Sequence, residues 1–268
     1  MNQIQIKLLE IAKEYIKVCE KLNLRYFALG GTALGAMRHN GFIPWDDDID
    51  FCMPREDYEK FCNEAQKHFP DHYFIQTHDT DKNYYCQYAK LRDSNTTAIE
   101  KAVKDVKMNH GLWIDIFPLD GLPVSDKKKK RLDFIDFKLL RRRYQSYKYK
   151  LPQFHIKVAN FLIKILLPSK HLAYKSCIKK SKKYSFENSK YIWWMFEKRC
   201  KLHIRREWFD DYKMQQFEDI QIRVPVECEK YLEGHYGDWK QLPPEEDRKP
   251  IHSIIVLDLN KSYKEYVK

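Results

Sequence analysis

The sequence predicts an α+β fold in two parts, and three observations lead to this prediction. Residues 1–124 alternate between amphipathic segments with helical spacing and short apolar runs that end at turn residues. Residues 125–268 show helical spacing as far as about Glu233, with few convincing strand patterns. With 43% hydrophobic and 32% charged residues, the composition is that of a folded globular chain. We therefore expect an N-terminal α/β part and a mostly helical C-terminal part that packs on it.

The elements of the N-terminal part follow from local patterns. The spacing of apolar residues in 1–24 predicts the first helix, which has one apolar face. That face holds Leu8, Ala12, Tyr15, Cys19 and Leu22. A short buried strand follows and ends in the pair Gly30 and Gly31, and helical turns closed by Gly41 come next. The other predicted elements are a strand over 43–53, a helix over 55–69, and strands over 73–77, 84–93, 96–100 and 111–123.

Charge and cysteine content restrict the partners and the compartment. The formal net charge of +11 indicates an anionic partner, which can be a nucleotide, a nucleic acid or an anionic membrane surface. Seven scattered cysteines without a C-x-x-C pair do not suggest a disulfide framework or a structural zinc site, so we expect a reducing cytoplasm. The N-terminus lacks the apolar core of a signal peptide. The longest apolar run, residues 158–167, contains Lys164 and is shorter than the roughly 20 residues of a membrane span.

A basic stretch over residues 127–150 allows two interpretations. It holds eleven Lys and Arg against two Asp, and an apolar segment with scattered Lys follows it. Such a pairing suits a peripheral contact with an anionic membrane at its inner face. It equally suits a solvated helix face that packs on the core through its Leu and Phe side chains.

Four carboxylates in the stretch WDDDID are the most unusual feature of the chain. Because side chains alternate along a strand, Asp46, Asp48 and Asp50 fall on one side and Asp47 on the other with Ile49. A row of carboxylates is costly unless a cation neutralises it, and hard divalent ions prefer carboxylate oxygen. The alternative is a solvated acidic turn after proline.

A buried acid and a glycine pair strengthen the metal hypothesis. Asp115 lies in an apolar strand, where it needs a partner, which can be a metal held by Asp48 and Asp50, a local backbone group that it caps, or a Lys or Arg. Gly30 and Gly31 follow a strand, so a phosphate can approach the backbone there and meet N–H groups from Thr32 onward. Each signal alone is weak, but their order along the chain is specific.

This order of motifs resembles the LicD family of phosphotransferases, which is related to fukutin and the fukutin-related protein. The resemblance is carried by GGTALGAMRHNGFIPWDDDIDF, KLRDSNTT, HGLWIDIFPLDGLP and YGDWKQLPPEEDR, whereas residues 125–220 contribute little to it. It implies a nucleotidyltransferase-like mixed sheet with flanking helices in residues 1–124. Residues 125–268 would then pack on that sheet and close the active site or contact the acceptor or membrane.

The resemblance also implies a reaction. Phosphocholine would pass from CDP-choline, or a related CDP-activated donor, to a hydroxyl of a teichoic acid, a lipopolysaccharide or a lipid-linked precursor, with release of CMP. Asp48 and Asp50 would bind Mg²⁺, with Mn²⁺ as the alternative, and Asp115 would be the third catalytic and metal-binding acid. Asp46 also belongs to the family motif. No nucleic-acid partner is expected.

Basic and aromatic residues are candidates for binding the donor. Arg38, Lys90 and Arg92 are candidates for the phosphates, with surface charges or salt bridges as the alternative. Arg248 and His252 lie in the matching tail, from which they can close over the site. Choline would need an aromatic cage. The available aromatic residues are Tyr84, Tyr85, Trp193, Trp194 and Trp239.

Three other functions remain open at this point. The first is transfer of another polyol or amino-alcohol phosphate. The second is a true nucleotidyltransferase that uses an NTP and releases pyrophosphate. The third belongs to a different class, a non-catalytic basic protein that binds nucleic acid or membranes and whose acid cluster is an incidental turn.

Overall fold

The computed structural model describes residues 1–122, 169–193 and 204–267, together with the single positions 158, 161, 162 and 165. The basic stretch 127–150 and Trp194 lie outside the described residues.

A central mixed sheet positions the acidic residues. Its strands are β1 (Phe27–Ala28), β2 (Asp50–Pro54), β3 (Tyr73–Gln76), β4 (Ala89–Asp93) and β6 (Leu112–Leu122), in the order β1-β2-β6-β4-β3. The strands β2 and β6 run parallel, and their neighbours along this path are antiparallel. The parallel pair brings Asp50 opposite Asp115. The α+β class with a mixed sheet is therefore confirmed.

Helices cover this sheet and begin where the patterns predict, with small shifts. They are α1 (Gln3–Lys21), α2 (Gly30–His39) and α3 (Arg55–Glu64), the last continued by a 3₁₀ turn over Ala65–His68. Of the predicted face of α1, Leu8, Ala12, Tyr15 and Cys19 are buried, and Tyr15 stacks on Phe51 of β2 with ring centroids 4.7 Å apart.

Helix α2 differs from its prediction at both ends. It includes the two glycines instead of following them, and it ends at Asn40, whose left-handed backbone (φ 54°) takes the place expected of Gly41. The short polar side chain of asparagine tolerates this conformation better than most.

The strand prediction over residues 43–53 is wrong for its first half. Residues 44–49, which we call the acid loop, form a turn and an irregular segment, and β2 begins only at Asp50. The turn closes through a hydrogen bond from Asp46 N–H to the Ile43 carbonyl. Proline at position 44 has no N–H to contribute to a sheet, which explains why the strand starts late.

The prediction of a mostly helical C-terminal part needs correction for its described residues. They contain α4 (Lys170–Ser181) and α5 (Cys228–Tyr236), but also five strands. These strands are β7 (Tyr191–Trp193), β8 (Ile204–Arg205), β9 (Tyr212–Phe217), β10 (Ile220–Pro225) and β11 (Ile254–Asp258). The first of them, β7, pairs with the end of β6, and β11 pairs with β5 (Thr97–Glu100). Each of these pairings joins a strand from residues 1–124 to a strand from residues 125–268. The domain boundary at residue 124 therefore stays a prediction.

Candidate active site

A cavity of about 590 Å³ opens where the acid loop meets the start of α2. Of the residues predicted for the site, those that line it are Gly30, Gly31, Arg38, Asp46, Asp48 and Asp50. Asp47 is not part of the lining. The three carboxylates that were grouped by strand alternation line the cavity, but only Asp50 belongs to a strand, so alternation does not explain the grouping.

The glycine pair holds the carboxylates against the helix start. A Cβ atom at Gly31 would lie 2.6 Å from Asp46 Oδ2, and one at Gly30 would lie 3.4 Å from Asp50 Oδ2. Gly30 also has a positive φ of 53°, which favours glycine. The N-terminus of α2 carries a partial positive charge that stabilises nearby anions. We conclude that Gly31 makes room for Asp46, whereas Gly30 is favoured by its positive φ.

The backbone N–H groups that were predicted to bind phosphate have other partners. Thr32 N–H and Ala33 N–H both donate to the Leu29 carbonyl, at 3.1 and 3.3 Å. Gly30 N–H donates to the Tyr231 hydroxyl at 3.0 Å. The Thr32 hydroxyl accepts from Asp50 N–H at 2.8 Å, so its observed contact fixes the start of β2.

Burial and mutual repulsion make the three cavity carboxylates hard to ionise. Burial, then the charge and hydrogen bond of Asp48, raise the pKa of Asp46 to about 8. Burial raises the pKa of Asp48, with His252 opposing part of the effect. Burial and the neighbouring charges of Asp48, Asp115 and Asp46 raise the pKa of Asp50 well above its ordinary value. A divalent cation would relieve this repulsion, and an all-oxygen donor set fits Mg²⁺ or Mn²⁺.

Among the described residues, the set whose ligand atoms lie close enough together to share one ion differs from the predicted one. One ligand atom each from Asp47, Asp48 and His252 lies within 4.8 Å of the other two. Within this set, His252 Nδ1 is 3.1 Å from Asp47 Oδ1 and 3.8 Å from Asp48 Oδ2. Burial alone would lower the pKa of His252, but the Asp47 hydrogen bond and the charge of Asp48 outweigh it and raise that pKa. Asp48 is thus common to both candidate metal sets.

Asp47 connects the acid loop to the C-terminal tail. Its carboxylate also accepts from the backbone N–H groups of Ile251 and His252, both at 3.3 Å. The His252 ring meets Trp113 edge-on, with centroids 5.4 Å apart. These contacts place the tail beside the cavity, where Lys249 and Ile251 contribute to the lining.

Asp115 is paired with a lysine behind the acid loop. Lys90 Nζ lies 2.7 Å from Asp115 Oδ1, and both side chains are almost fully buried. The ammonium group also lies 4.1 Å from the centroid of Trp113. Neither residue lines the cavity, although the charge of Asp115 raises the pKa of Asp48 and Asp50. The Lys partner foreseen for Asp115 is therefore present in the metal-free chain.

The predicted basic residues are distributed over three different environments. Arg38 lines the cavity and donates from Nη1 to the carbonyls of Trp239 and Gln241, at 2.8 and 3.1 Å. Arg92 is buried in the core and donates to Gln76 Oε1 and to the Gly111 carbonyl. Arg248 donates to the Pro243 carbonyl at 2.9 Å.

Aromatic residues form part of the cavity wall, and sequence analysis anticipated one of them. Trp239 lines the cavity, as do Trp45 and Tyr236, which were not predicted. Burial and the charges of Asp50, Asp46 and Asp48 raise the pKa of the Tyr236 hydroxyl, which places this group near the acids. The block YGDW, quoted for the resemblance, contains Tyr236 and Trp239 and was the signal that pointed to this wall.

The other candidate cage aromatics lie elsewhere. Tyr84 and Tyr85 belong to a separate buried cluster with Cys86, Val103 and Met108. Trp193 lies in β7 and is not part of the cavity lining.

Comparison with known proteins relates this site to one family. The family model described as LicD/FKTN/FKRP, nucleotidyltransferase domain, matches residues 23–149. The lipopolysaccharide cholinephosphotransferase LicD of Haemophilus influenzae is 32% identical over 264 residues, which cover 94% of this chain and 96% of that protein.

Two further relatives match only a short segment. The ribitol 5-phosphate transferase FKRP of Homo sapiens is 44% identical over 48 residues, or 18% of this chain and 10% of that protein. An uncharacterised protein of Rickettsia prowazekii is 40% identical over 52 residues, or 19% of this chain and 20% of that protein. Since the similarity to the Haemophilus protein runs through almost all of both sequences, the chain belongs to the LicD family.

Proposed function

We propose that this protein transfers phosphocholine from CDP-choline to a hydroxyl of a teichoic acid, a lipopolysaccharide or a lipid-linked glycan precursor, releasing CMP. The observation that carries the proposal is the convergence of Asp46, Asp48 and Asp50 in one cavity, without a Lys or Arg within ion-pair distance in the described part of the chain. The near full-length similarity to a cholinephosphotransferase supports the choice of reaction.

The three cavity carboxylates would hold Mg²⁺, or Mn²⁺ in its place. When bound, the ion supplies neutralisation of the negative charge on the diphosphate, which is the main requirement of phosphoryl transfer. The glycine pair and the Thr32 hydroxyl act through the acids, because they fix the acid loop and the start of β2.

The remaining site residues would orient the reactants. The acceptor hydroxyl attacks the phosphorus that bears choline, the bond from that phosphorus to the bridging oxygen breaks, and CMP leaves with this oxygen. Arg38 and Lys249 line the cavity and can bind the phosphate oxygens. Asp115, whose charge is compensated by Lys90, is the proposed acceptor of the hydroxyl proton. Lys90 would thus act as a positioning residue for Asp115.

The aromatic wall favours choline over a polyol as the transferred alcohol. Quaternary ammonium groups bind over aromatic faces, and Trp45, Tyr236 and Trp239 lie along the same cavity as the acids. Asp238 also lines this cavity and offers a negative charge to the cation. A ribitol chain would instead need hydrogen bonds to its hydroxyl groups.

The test is CMP release from CDP-choline in the presence of Mg²⁺ and a lipopolysaccharide or teichoic-acid acceptor. We expect Asp48→Asn and Asp50→Asn each to lower the rate about a hundredfold or more. Asp71→Asn makes the same chemical change at an exposed acid and should leave the rate of CMP release unchanged. Full CMP release by both cavity variants would overturn the assignment.

Parallel reactions separate the other functions. Pyrophosphate release from an NTP would identify a nucleotidyltransferase, and turnover of CDP-ribitol in preference to CDP-choline would identify a polyol-phosphate transferase. Replacing Trp239 by Leu should weaken discrimination between CDP-choline and CDP-ribitol, since it removes the proposed cation-binding face.

A further inference from the structure

The positive charge of the chain is concentrated in one segment of the sequence. Residues 137–186 contain fourteen Lys and Arg and no Asp or Glu. The rest of the chain has three more acidic than basic residues, so this segment accounts for the whole net charge of +11. An extended anionic partner, distinct from the donor bound in the cavity, is therefore expected at this segment.

Apolar side chains within this segment are exposed on one helix face. Val158, Phe161, Leu162 and Ile165 are helical and have the spacing i, i+3, i+4, i+7 of a single face. Their exposed fractions are 39%, 63%, 51% and 60%. The alternative foreseen from sequence, a helix packed on the core through its Leu and Phe residues, does not hold at these positions.

Helix α4 follows these residues in the chain and packs on the folded body. Its inner face packs through Ala173, Cys177 and Ser181, all buried, and Gln87 Nε2 contacts Cys177 Sγ at 2.6 Å. Its outer face presents Leu172, 63% exposed, with the exposed side chains of Lys175 and Lys179.

We propose that these residues form a peripheral membrane-docking face for an anionic bilayer. We call it the basic apolar face and define it as Val158, Phe161, Leu162, Ile165, Leu172, Lys175 and Lys179. The apolar side chains would enter the boundary between head groups and acyl chains, while the lysines meet anionic head groups. RNA would be attracted by the charge, but of the five exposed apolar side chains only Phe161 offers a ring on which a base can stack, so the combination favours a lipid surface. Among the described helices, none has the length and apolarity needed to cross a bilayer.

Vesicle flotation of the full chain tests this proposal. We use phosphatidylcholine vesicles with about 30% phosphatidylglycerol, and vesicles of phosphatidylcholine alone as the neutral reference. The wild type should float with the anionic vesicles and less with the neutral ones. Phe161→Ser combined with Ile165→Ser should lower the fraction bound about tenfold. Met214→Ser combined with Ile255→Ser, which alters two similarly exposed apolar residues elsewhere, should have no effect.

A charge reversal on α4 gives an independent measurement. Lys175→Glu combined with Lys179→Glu should weaken binding to anionic vesicles and make it less sensitive to salt. Unchanged melting temperatures would show that all variants are folded. Flotation that survives both the serine and the glutamate substitutions would overturn the proposal. So would RNA binding of equal strength in wild type and serine variant without vesicle binding, which would identify a nucleic-acid surface.

Discussion

The buried carboxylates of this protein fall into two groups that differ in how their charge is compensated. Asp120 receives two hydrogen bonds from Arg55, at 2.7 and 2.6 Å, and Asp115 receives one from Lys90. Asp46 and Asp50 have no Lys or Arg within ion-pair distance among the described residues, and their strongest neighbours are other carboxylates. The first group supports the fold by itself, whereas the second needs a ligand, which is typical of functional sites.

The largest effect on stability is expected from breaking a compensated pair. Arg55→Ala leaves Asp120 buried without a counter-charge and should lower the free energy of unfolding by about 3–5 kcal/mol. Arg25 is a matched control, because it also binds two carboxylates, Asp57 and Glu187, but at an exposed position. Arg25→Ala should cost only about 0–1 kcal/mol in urea unfolding. Equal losses for the two variants would contradict the distinction.

Replacing Asp by Asn should change the free energy of unfolding in opposite directions in the two groups. In metal-free protein at pH 8, Asp50→Asn should raise the free energy of unfolding by about 1–2 kcal/mol, since it removes a group that is costly to bury ionised. Asp115→Asn should lower it by on the order of 3 kcal/mol, because Lys90 then loses its partner. Thermal unfolding with a chelator present measures both. A loss of stability in both variants would place Asp50 in the compensated group.

Much of this contrast can be predicted from sequence, because it rests on local spacing. The i, i+2, i+4 spacing groups Asp46, Asp48 and Asp50, although the strand from which we predicted this grouping begins only at Asp50, and an acid within an apolar strand marks Asp115. The partners of these residues cannot be predicted in the same way. His252 and Trp239 reach the site from about 200 residues away in sequence, and no periodicity encodes such contacts.

The hairpin of β9 and β10 shows a second limit of sequence patterns. Its turn uses Glu218 in a left-handed conformation, with φ of 54°, in place of the glycine or asparagine that usually signals such a turn. Tertiary contacts stabilise this choice, because the Glu218 carboxylate accepts from Phe42 N–H at 3.0 Å and its N–H donates to the Asn40 carbonyl. The mostly helical prediction for this part failed because these contacts are not local.

The pH dependence of stability should report directly on the uncompensated carboxylates. The pKa of Asp46 is about 8 in the folded protein and about 4 when unfolded, so the folded state binds the extra proton between these values. The stability of the wild type should therefore fall, relative to Asp46→Asn, as pH rises from about 4 to about 8. We expect the difference to change by about 1.4 kcal/mol for each pH unit within this range, measured by urea unfolding with chelator. Saturating Mg²⁺ should abolish it, and a difference that does not vary with pH would contradict the shift.

The smallest effect on stability is expected at Gly31, where the effect on activity should nevertheless be clear. Alanine improves helix propensity by about 1 kcal/mol, but its Cβ would lie 2.6 Å from Asp46 Oδ2 and must displace that carboxylate. Gly31→Ala should therefore change the free energy of unfolding by less than about 1 kcal/mol and lower CMP release about tenfold.

A double-mutant cycle with Asp46→Ala distinguishes the two roles considered for this glycine. If Gly31 serves to make room for the carboxylate, Gly31→Ala should cause no further loss of CMP release once Asp46 is alanine, because the clash is gone. If the glycine instead admits a donor phosphate to the backbone, the same tenfold loss should persist in that background. The placement of Asp46 Oδ2 against Gly31 leads us to expect the first result, which would make the glycine pair a positioning element for the uncompensated acids.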